Sequence, residues 1–550
     1  MGLAHAPMKK VIIILAVLGI LIFAGVLIFK RAGGPSKASL LVPADAAVFV
    51  NIPNVPMTGF RWQKTALARI AAEPELVAFL KKPTARFTES QAGAETVELL
   101  TALKPGNIFL CLNEQLLGLL GFQFWGKRVD YDNAVNRLRA SLPGVVRELP
   151  SETYRGMEIV GTGHGDLELW SSAVGRWGLV GTDLPMLRGA IDRATKVEGL
   201  SPSLGASEEF LKVSSMLPSE PDMFVYLRPD TALNALSLMN KQPIAEHMGA
   251  LKGVQALGAA WKMDGENQRD ALFVLRPRDL ESLPKLEHEA MALTDENTDF
   301  FFDFALHFDA LPEFLGRFSR TFPDGVQRLS PVVELVSKSF GPECSVIGEW
   351  EAGKMAPTAF IALQVRDKEG ASAFPAFLAS TVPGAVSEEA GGAMITTIPS
   401  GQGAFNLLQT DTFLLAGMNR ARLLQVSDGL GENKSLSELP KFEAAIKSYR
   451  GANEMFGFID TRVVFENVYN TLAPVLRLSA MMVPSIAEVV DTEKMPAAAT
   501  IGKHLSPLVV SQKVTGEGTL LESSGPVSLV QFVLIGGTAT RAMNHSLFGN

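Results

Sequence analysis

Asp303, His307 and Asp309 recur at alternate positions of FFFDFALHFD, Phe300 to Asp309, and two carboxylates with an imidazole are donors that a divalent cation accepts. Neighbours on one strand face stand about 7 Å apart, so three of them on one strand cannot close around an ion unaided. The spacing therefore predicts a half-buried strand with Phe300, Phe302, Phe304, Leu306 and Phe308 on the core face and the polar trio on a solvated face. GTGHGD, Gly161 to Asp166, suggests a phosphate-cradling loop. Its third glycine comes one position early for G-x-G-x-x-G, however, and no Lys-Ser/Thr follows. With MEIV before it and LELW after it, the run reads as a hairpin turn that needs positive φ, and PSGQG, Pro399 to Gly403, is its counterpart. The seven histidines, His5, His164, His247, His288, His307, His504 and His545, include no H-E-x-x-H, and no serine sits in G-x-S-x-G. Cys111 and Cys344 are too few for a disulfide framework or a four-cysteine zinc site. They read as buried thiols, one long-range disulfide being the alternative. No cofactor and no metal site is expected, and any catalytic set would have to be assembled from distant residues.

The elements that would hold such residues begin with a membrane segment. Val11 to Phe29, VIIILAVLGILIFAGVLIF, is nineteen residues without charge or proline, which spans about 28 Å as a helix. Lys30 and Arg31 occupy the place where a cleaved signal needs small residues, so a retained single-pass anchor is predicted. Lys9 and Lys10 precede it and Lys30, Arg31 and Lys37 follow it, so charge does not decide its orientation. Residues 30–39, with AGGPSK, make a short flexible tether. PVSLVQFVLIGG, Pro526 to Gly537, is too short to span and reads as a buried strand. The chain has 550 residues, 47% of them hydrophobic, and a net charge of −8. That suits about two to four folded domains and disfavours a nucleic-acid surface, which needs positive charge.

Comparing the chain with itself gives five collinear matches. Ala47–Ile52 resembles Asp299–Phe304, Leu138–Gly144 resembles Leu378–Gly384, and Trp177–Gly181 resembles Phe413–Gly417. Asp222–Leu227 resembles Glu454–Ile459, and Phe273–Leu275 resembles Phe532–Leu534. Asp183 and Asn419 then fall at the N-caps of matching helices. The prediction is an α+β fold class: one N-terminal transmembrane helix followed by two tandem related α+β units with mainly antiparallel sheets. The units cover 40–276 and 295–536, an acidic connector covers 277–294, and a tail covers 537–550.

On these residues the chain resembles a bacterial family of membrane-anchored extracytoplasmic proteins carrying a domain of unknown function, often in duplicated α+β form. The resemblance rests on the anchor, LVPADAAVFVNI at Leu41–Ile52, YRGMEIV at Tyr154–Val160, GLVGTD at Gly178–Asp183 and DMFVYL at Asp222–Leu227. It implies a cytoplasmic N-terminus at residues 1–10, a bacterial inner-membrane anchor at 11–29 and the bulk of the chain in the periplasm or an equivalent space. It transfers no activity and no catalytic residue.

After the matched Met-Phe strands the second unit carries an apolar insertion of twenty-seven residues, counted from the change in offset between the fourth and fifth matches. Val464, Val468, Leu472, Val475 and Leu476 follow helical spacing, Met481, Met482, Ile486 and Val489 continue the stripe, and Pro474 and Pro484 should break or kink it. One or two amphipathic helices are expected over Thr461 to Val489, with Val475, Leu476, Met481, Met482 and Ile486 as candidate contacts to a partner or lipid. The functional expectation is a non-enzymatic, membrane-tethered binding or scaffolding protein of the cell envelope, whose partner is an envelope protein, a peptide or a lipid and not a nucleic acid. The alternative is a membrane-tethered envelope hydrolase with a non-local active site.

Overall fold

Runs of β-branched and aromatic residues punctuated by Gly, Asn and Pro form the strands in the computed structural model. It describes residues 37–82, 101–141, 146–164, 167–197, 202–240, 253–277, 286–306, 332–354, 356–401, 403–429, 434–447, 451–482 and 491–528. The first half contributes β1 (Val48–Ile52), β2 (Pro105–Leu112), β3 (Gly118–Phe124), β4 (Val146–Glu148), β5 (Glu152–Tyr154), β6 (Met157–His164), β7 (Leu167–Val174), β8 (Trp177–Gly181), β9 (Met223–Leu227), β10 (Ala256–Asp264) and β11 (Asn267–Leu275). The second contributes β12 (Phe300–Ala305), β13 (Phe340–Glu349), β14 (Thr358–Val365), β15 (Val386–Ala390), β16 (Ala393–Ser400), β17 (Gly403–Gln409), β18 (Phe413–Gly417), β19 (Met455–Ile459), β20 (Leu508–Val514) and β21 (Gly518–Gly525).

Every ladder among them is antiparallel. The first half runs β6-β7-β8-β3-β2-β1-β9-β10-β11, with β4 and β5 both on the outer side of β6. The second runs β16-β17-β18-β14-β13-β12-β19-β20-β21, with β15 outside β16. β11 pairs with β21 and joins the halves into one series. Among the described residues β15 pairs on one side only, as do β4 and β5, so the series is open at both ends.

The seam has a local two-fold register. Ala271 faces Glu522, Gln268 faces Gly525 and Val274 faces Thr519. Stepping outward from Ala271 leads through Ala260 to Phe224, Asn51, Phe109, Gly121 and Leu179. The same steps from Glu522 lead through Ser511 to Phe456, Asp303, Ser345, Ala362 and Leu415. Along this path three of the matched segment pairs occupy corresponding positions in the strand order. The path replaces the fifth match: the counterpart of β11 is β21, while Phe532–Leu534 lies outside the described residues. The offset accordingly rises from 232 at Phe224 and Phe456 to 251 at Ala271 and Glu522, a difference of nineteen residues rather than twenty-seven. A helix follows the Met-Phe strand in both halves, Pro229–Asn240 in the first and Thr461–Met482 in the second. The predicted insertion is therefore an elaboration of an element present in each half.

The helices follow local signals. Asp183 accepts a hydrogen bond from Met186 N at 2.9 Å to start Leu184–Ala194, and Asn419 accepts one from Arg422 N at 3.1 Å to start Arg420–Asp428. Each helix buries an apolar stripe on its own half. One core gathers Phe49, Phe109, Phe210, Phe224 and Tyr226, and the other gathers Phe301, Phe442, Phe456 and Phe458. Leu286, Ala290 and Leu293, within the stretch read as a connector, belong to the second core. The joins of β6 to β7 and of β16 to β17 fall within the two glycine runs, but Gly161 and Gly163 are ladder positions of β6 opposite Trp170 and Glu168 and not turn residues with positive φ. Gly161 serves packing, since a Cβ there would stand 2.5 Å from the Trp170 ring, while Gly403 at the start of β17 has φ 140° and Gly165 lies outside the described residues. No helix among the described residues is long and apolar enough to cross a membrane. Val11–Phe29 and the stretch from Leu529 onward, which includes most of the predicted Pro526–Gly537 strand, lie outside them.

Candidate functional site

Two features separate the second half from the first: a buried chain of polar groups on β12 and β13, and a helix that turns its apolar face outward. β12 reverses the predicted orientation. Phe301 and Asp303 are the fully buried positions, while Phe300, Phe302 and Phe304 are half-exposed on the other face. That face is not bare. The Phe302 ring lies over Gly457 and the Phe300 ring over Gly348, where a Cβ would stand 2.7 Å and 2.1 Å away, so the missing side chains create the seats for the rings. The richer apolar layer, with Phe442, Phe456 and Phe458, lies on the Phe301 side and takes Asp303 inside with it. Asp303 is thus not on a solvated face, and His307 and Asp309 lie outside the described residues. No group of three His, Cys, Asp or Glu side chains among the described residues is arranged to hold a metal.

Burying a carboxylate requires partners. His288 Nδ1 lies 2.7 Å from Asp303 Oδ2, and Ser345 Oγ donates to Asp303 Oδ1 at 2.8 Å. The imidazole also meets the Phe456 ring edge-on at 5.2 Å between centroids. His288 has left-handed backbone geometry, φ 59°, just before a 3₁₀ turn at Glu289–Leu293. Glu343, two residues before Ser345, ties down the same turn by accepting from Ala290 N at 2.9 Å and from Glu287 N at 3.3 Å. Burial pushes the Glu343 carboxyl above its ordinary range, the Asp303 charge adds to this, and the two backbone donors oppose it. Burial, helped by Asp303, pushes the Cys344 thiol up to about 11. Both cysteines are free: Cys111 is buried in β2 and Cys344 half-buried in β13.

His, Asp and Ser in contact invite a comparison with a nucleophilic triad, and the connectivity answers it. In a triad the imidazole stands between carboxylate and hydroxyl and takes the hydroxyl proton. Here the carboxylate stands between imidazole and hydroxyl, and Ser345 is fully buried. The His288–Asp303–Ser345 cluster positions a turn against a sheet, and none of its three groups is an activated nucleophile. Sequence reasoning missed His288, Glu343 and Ser345. The available signal was Glu343 and Ser345 alternating in a strand-like GPECSVIGE, where a charge demands a buried partner.

The second feature is the Thr461–Met482 helix, which is continuous through Pro474. The predicted break does not occur. Pro474 lies on the exposed side, and Asn467 Nδ2 and Thr471 Oγ1 bond to Val463 O and Asn467 O one turn earlier, supporting the preceding turns. Its buried residues are Asn467, Ala473 and Ala480. Leu472, Val475, Leu476 and Leu478 are exposed, and Met481 and Met482 are 83% and 74% exposed. This inverts the usual amphipathic order, in which the apolar stripe faces the core. Anchoring is polar: Asn467 Nδ2 donates to Trp350 O at 3.2 Å and the Tyr469 hydroxyl to Pro496 O at 2.6 Å. On the other side of the Pro496–Ala497 link, Ala497 N and Thr500 Oγ1 donate to Glu75 at 3.1 Å and 2.9 Å. The short Pro74–Phe79 helix of the first half, which has no buried residue of its own and exposes Val77, therefore adjoins this region. Of the predicted contacts, Val475, Leu476, Met481 and Met482 are all exposed; Ile486, like Pro484 and Val489, lies outside the described residues.

No family model matches the chain, and no curated protein matches it. Among solved structures, crystal forms IV and III of TP0453 are similar at 10% identity and TM-score 0.25, over 44% and 45% of this chain and 81% of that one. A likeness of that size carries no argument about fold or function.

Proposed function

We propose that the chain is a membrane-tethered extracytoplasmic binding or scaffolding protein of the bacterial cell envelope, built from two related α+β units on a single-pass anchor. The observation that carries the binding role is the outward apolar face of the Thr461–Met482 helix. A face that leaves Leu472, Val475, Leu478, Met481 and Met482 in water is larger than the scattered apolar residues of an ordinary surface and marks a contact site. What supports relatedness of the units is the common strand order and the register path outward from the seam, which runs without a slip from Ala271 to Leu179 and from Glu522 to Leu415. What supports the anchor is the length and composition of Val11–Phe29, and the family resemblance supports the side of the membrane.

The test is topological. Protease added to intact spheroplasts removes a C-terminal tag under this reading, whereas a tag protected until lysis overturns it. An enzymatic role finds no support at the His288–Asp303–Ser345 chain, whose connectivity gives no activated nucleophile.

A further inference from the structure

The halves diverge once more near the two open ends of the series. Residues 152–192 and 388–428 correspond at a constant offset of 236. Tyr154 faces Met157 across β5 and β6 as Ala390 faces Ala393 across β15 and β16, and Val160 faces Ser171 as Thr396 faces Leu407. The hairpin turns match as well, with φ 53° and 76° at Arg155 and Gly156 and 60° and 77° at Gly391 and Gly392. Asp192 and Asp428 are then the ninth residues of the helices Leu184–Ala194 and Arg420–Asp428. Asp192 is buried: the Tyr154 hydroxyl donates to its Oδ2 at 2.8 Å and Arg155 Nε to its Oδ1 at 3.2 Å. In the second half Ala390 and Gly391 stand in place of that tyrosine and arginine. Asp428 is exposed, and its carboxylate has no hydrogen-bond or ion-pair partner among the described residues. The other matched acid fares differently. Glu152 pairs with Arg188, and Glu388 finds a new cation in Arg420 although Leu424 stands at the position of Arg188.

A Cβ on Gly391 would stand 3.6 Å from Asp428 Oδ1, so the trimmed side chain is the one that would have met the acid. Beside it lies a cavity of about 790 Å³, whose lining includes Gly391, Gly392, Ala393, Thr396, Ser427 and Asp428. That volume suits a small ligand or an inserted side chain. The other charged residue of the lining is Asp411, which pairs with Lys368, and no basic residue lines the cavity. Asp428 also ends its helix with no basic residue in the last turn, where the helix dipole disfavours a carboxylate. An unanswered charge and an unfilled space thus coincide where the first half places its own guanidinium. We propose that this cavity binds an arginine side chain of a peptide partner, with the guanidinium on Asp428 as Arg155 lies on Asp192. With no tyrosine at hand, the planar fork of arginine takes both carboxylate oxygens, which an ammonium matches less well. The first half is closed by its own residues, and the second takes its cation from a partner. The site uses neither the anchor nor the outward helix, so it is independent of the reading above.

The experiment titrates the detergent-solubilised full chain calorimetrically with acetyl-Tyr-Arg-Gly-amide, the sequence of the first half's own turn at Tyr154–Gly156. Two further peptides carry citrulline, which keeps the shape of arginine without its charge, or lysine in the middle position. The expected result is saturable binding of the arginine peptide that weakens about tenfold or more with citrulline, and equally in Asp428→Asn, since each change removes a charge-assisted contact. Asp428 is exposed, so this variant keeps the fold. Ala390→Tyr with Gly391→Arg rebuilds the closure of the first half on a turn with the same backbone angles and should abolish binding. Absence of saturable binding to the parent chain overturns the proposal, and so does an affinity that Asp428→Asn or citrulline leaves unchanged. Equal affinity for the lysine peptide overturns the assignment of the occupant as a guanidinium.

Discussion

Asn51 and Phe109 in the first half hold the register positions that Asp303 and Ser345 hold in the second, and Asn107 stands two residues before Phe109 as Glu343 stands two residues before Ser345. One backbone arrangement therefore carries an amide beside an aromatic ring on one side and a charged, hydrogen-bonded chain on the other. The reason lies outside the strands. His288 and the turn behind it offer the second half an imidazole and two backbone donors, so buried acids there have partners. Asn51 Oδ1 finds no partner among the described residues, and a full charge in that place would be stranded. The ladder fixes where a side chain points, and the packed-on segment decides whether it can be ionic.

Breaking the two positions should expose the contrast. Asp303→Ala leaves the imidazole and the Ser345 hydroxyl without their shared acceptor and should lose about 3 kcal/mol of unfolding free energy. Asn51→Ala should lose nearer about 1 kcal/mol, the ordinary size of a point change. Equal losses in urea titrations would mean that the buried chain is no more structural than its neutral counterpart.

A second prediction sharpens the difference through pH. Burial raises the folded-state pKa of Glu343 above its ordinary 4.5, so the folded form holds its proton where the unfolded form has lost it. Stability from this group is complete below pH 4.5 and falls as pH rises toward the folded value, beyond which the penalty is constant. Glu343→Gln cannot ionise and should flatten that part of the stability profile, although its amide nitrogen would face one of two backbone donors and lower stability at every pH. A variant profile parallel to the parent's across this window would show that Glu343 does not titrate there.

The caps should behave alike in the two halves. Asp183→Ala and Asn419→Ala each remove one side-chain acceptor at a helix start and should each cost about 1 kcal/mol, read as similar shifts in denaturation midpoint. The smallest effect belongs to the outward helix. Met481→Ser with Met482→Ser should change stability by no more than about 0.5 kcal/mol, because both side chains already stand in solvent, yet should weaken whatever contact the face makes. A large drop in melting temperature would place these methionines in a core instead.

What local chemistry controls was legible in the sequence: the strands, the N-caps Asp183 and Asn419, and a helix over the apolar stretch from Thr461. Each depends on residues a few positions apart, so periodicity and propensity suffice. It also placed an alternation on β12, but alternation says that two faces differ and not which one meets the deeper core. That Asp303 goes inward is settled by packing across the sheet, because Gly348 and Gly457 on neighbouring strands make room for phenylalanine rings on the other face and His288 arrives from fifteen residues upstream. The same holds for the outward helix. Its stripe was legible, but its direction depends on Trp350, Pro496 and Glu75 holding the polar side and its neighbours, contacts set by distant segments that no local pattern encodes. The pairing of β11 with β21 is decided in the same way, since an edge strand's partner is settled by which other edge the folded chain brings beside it.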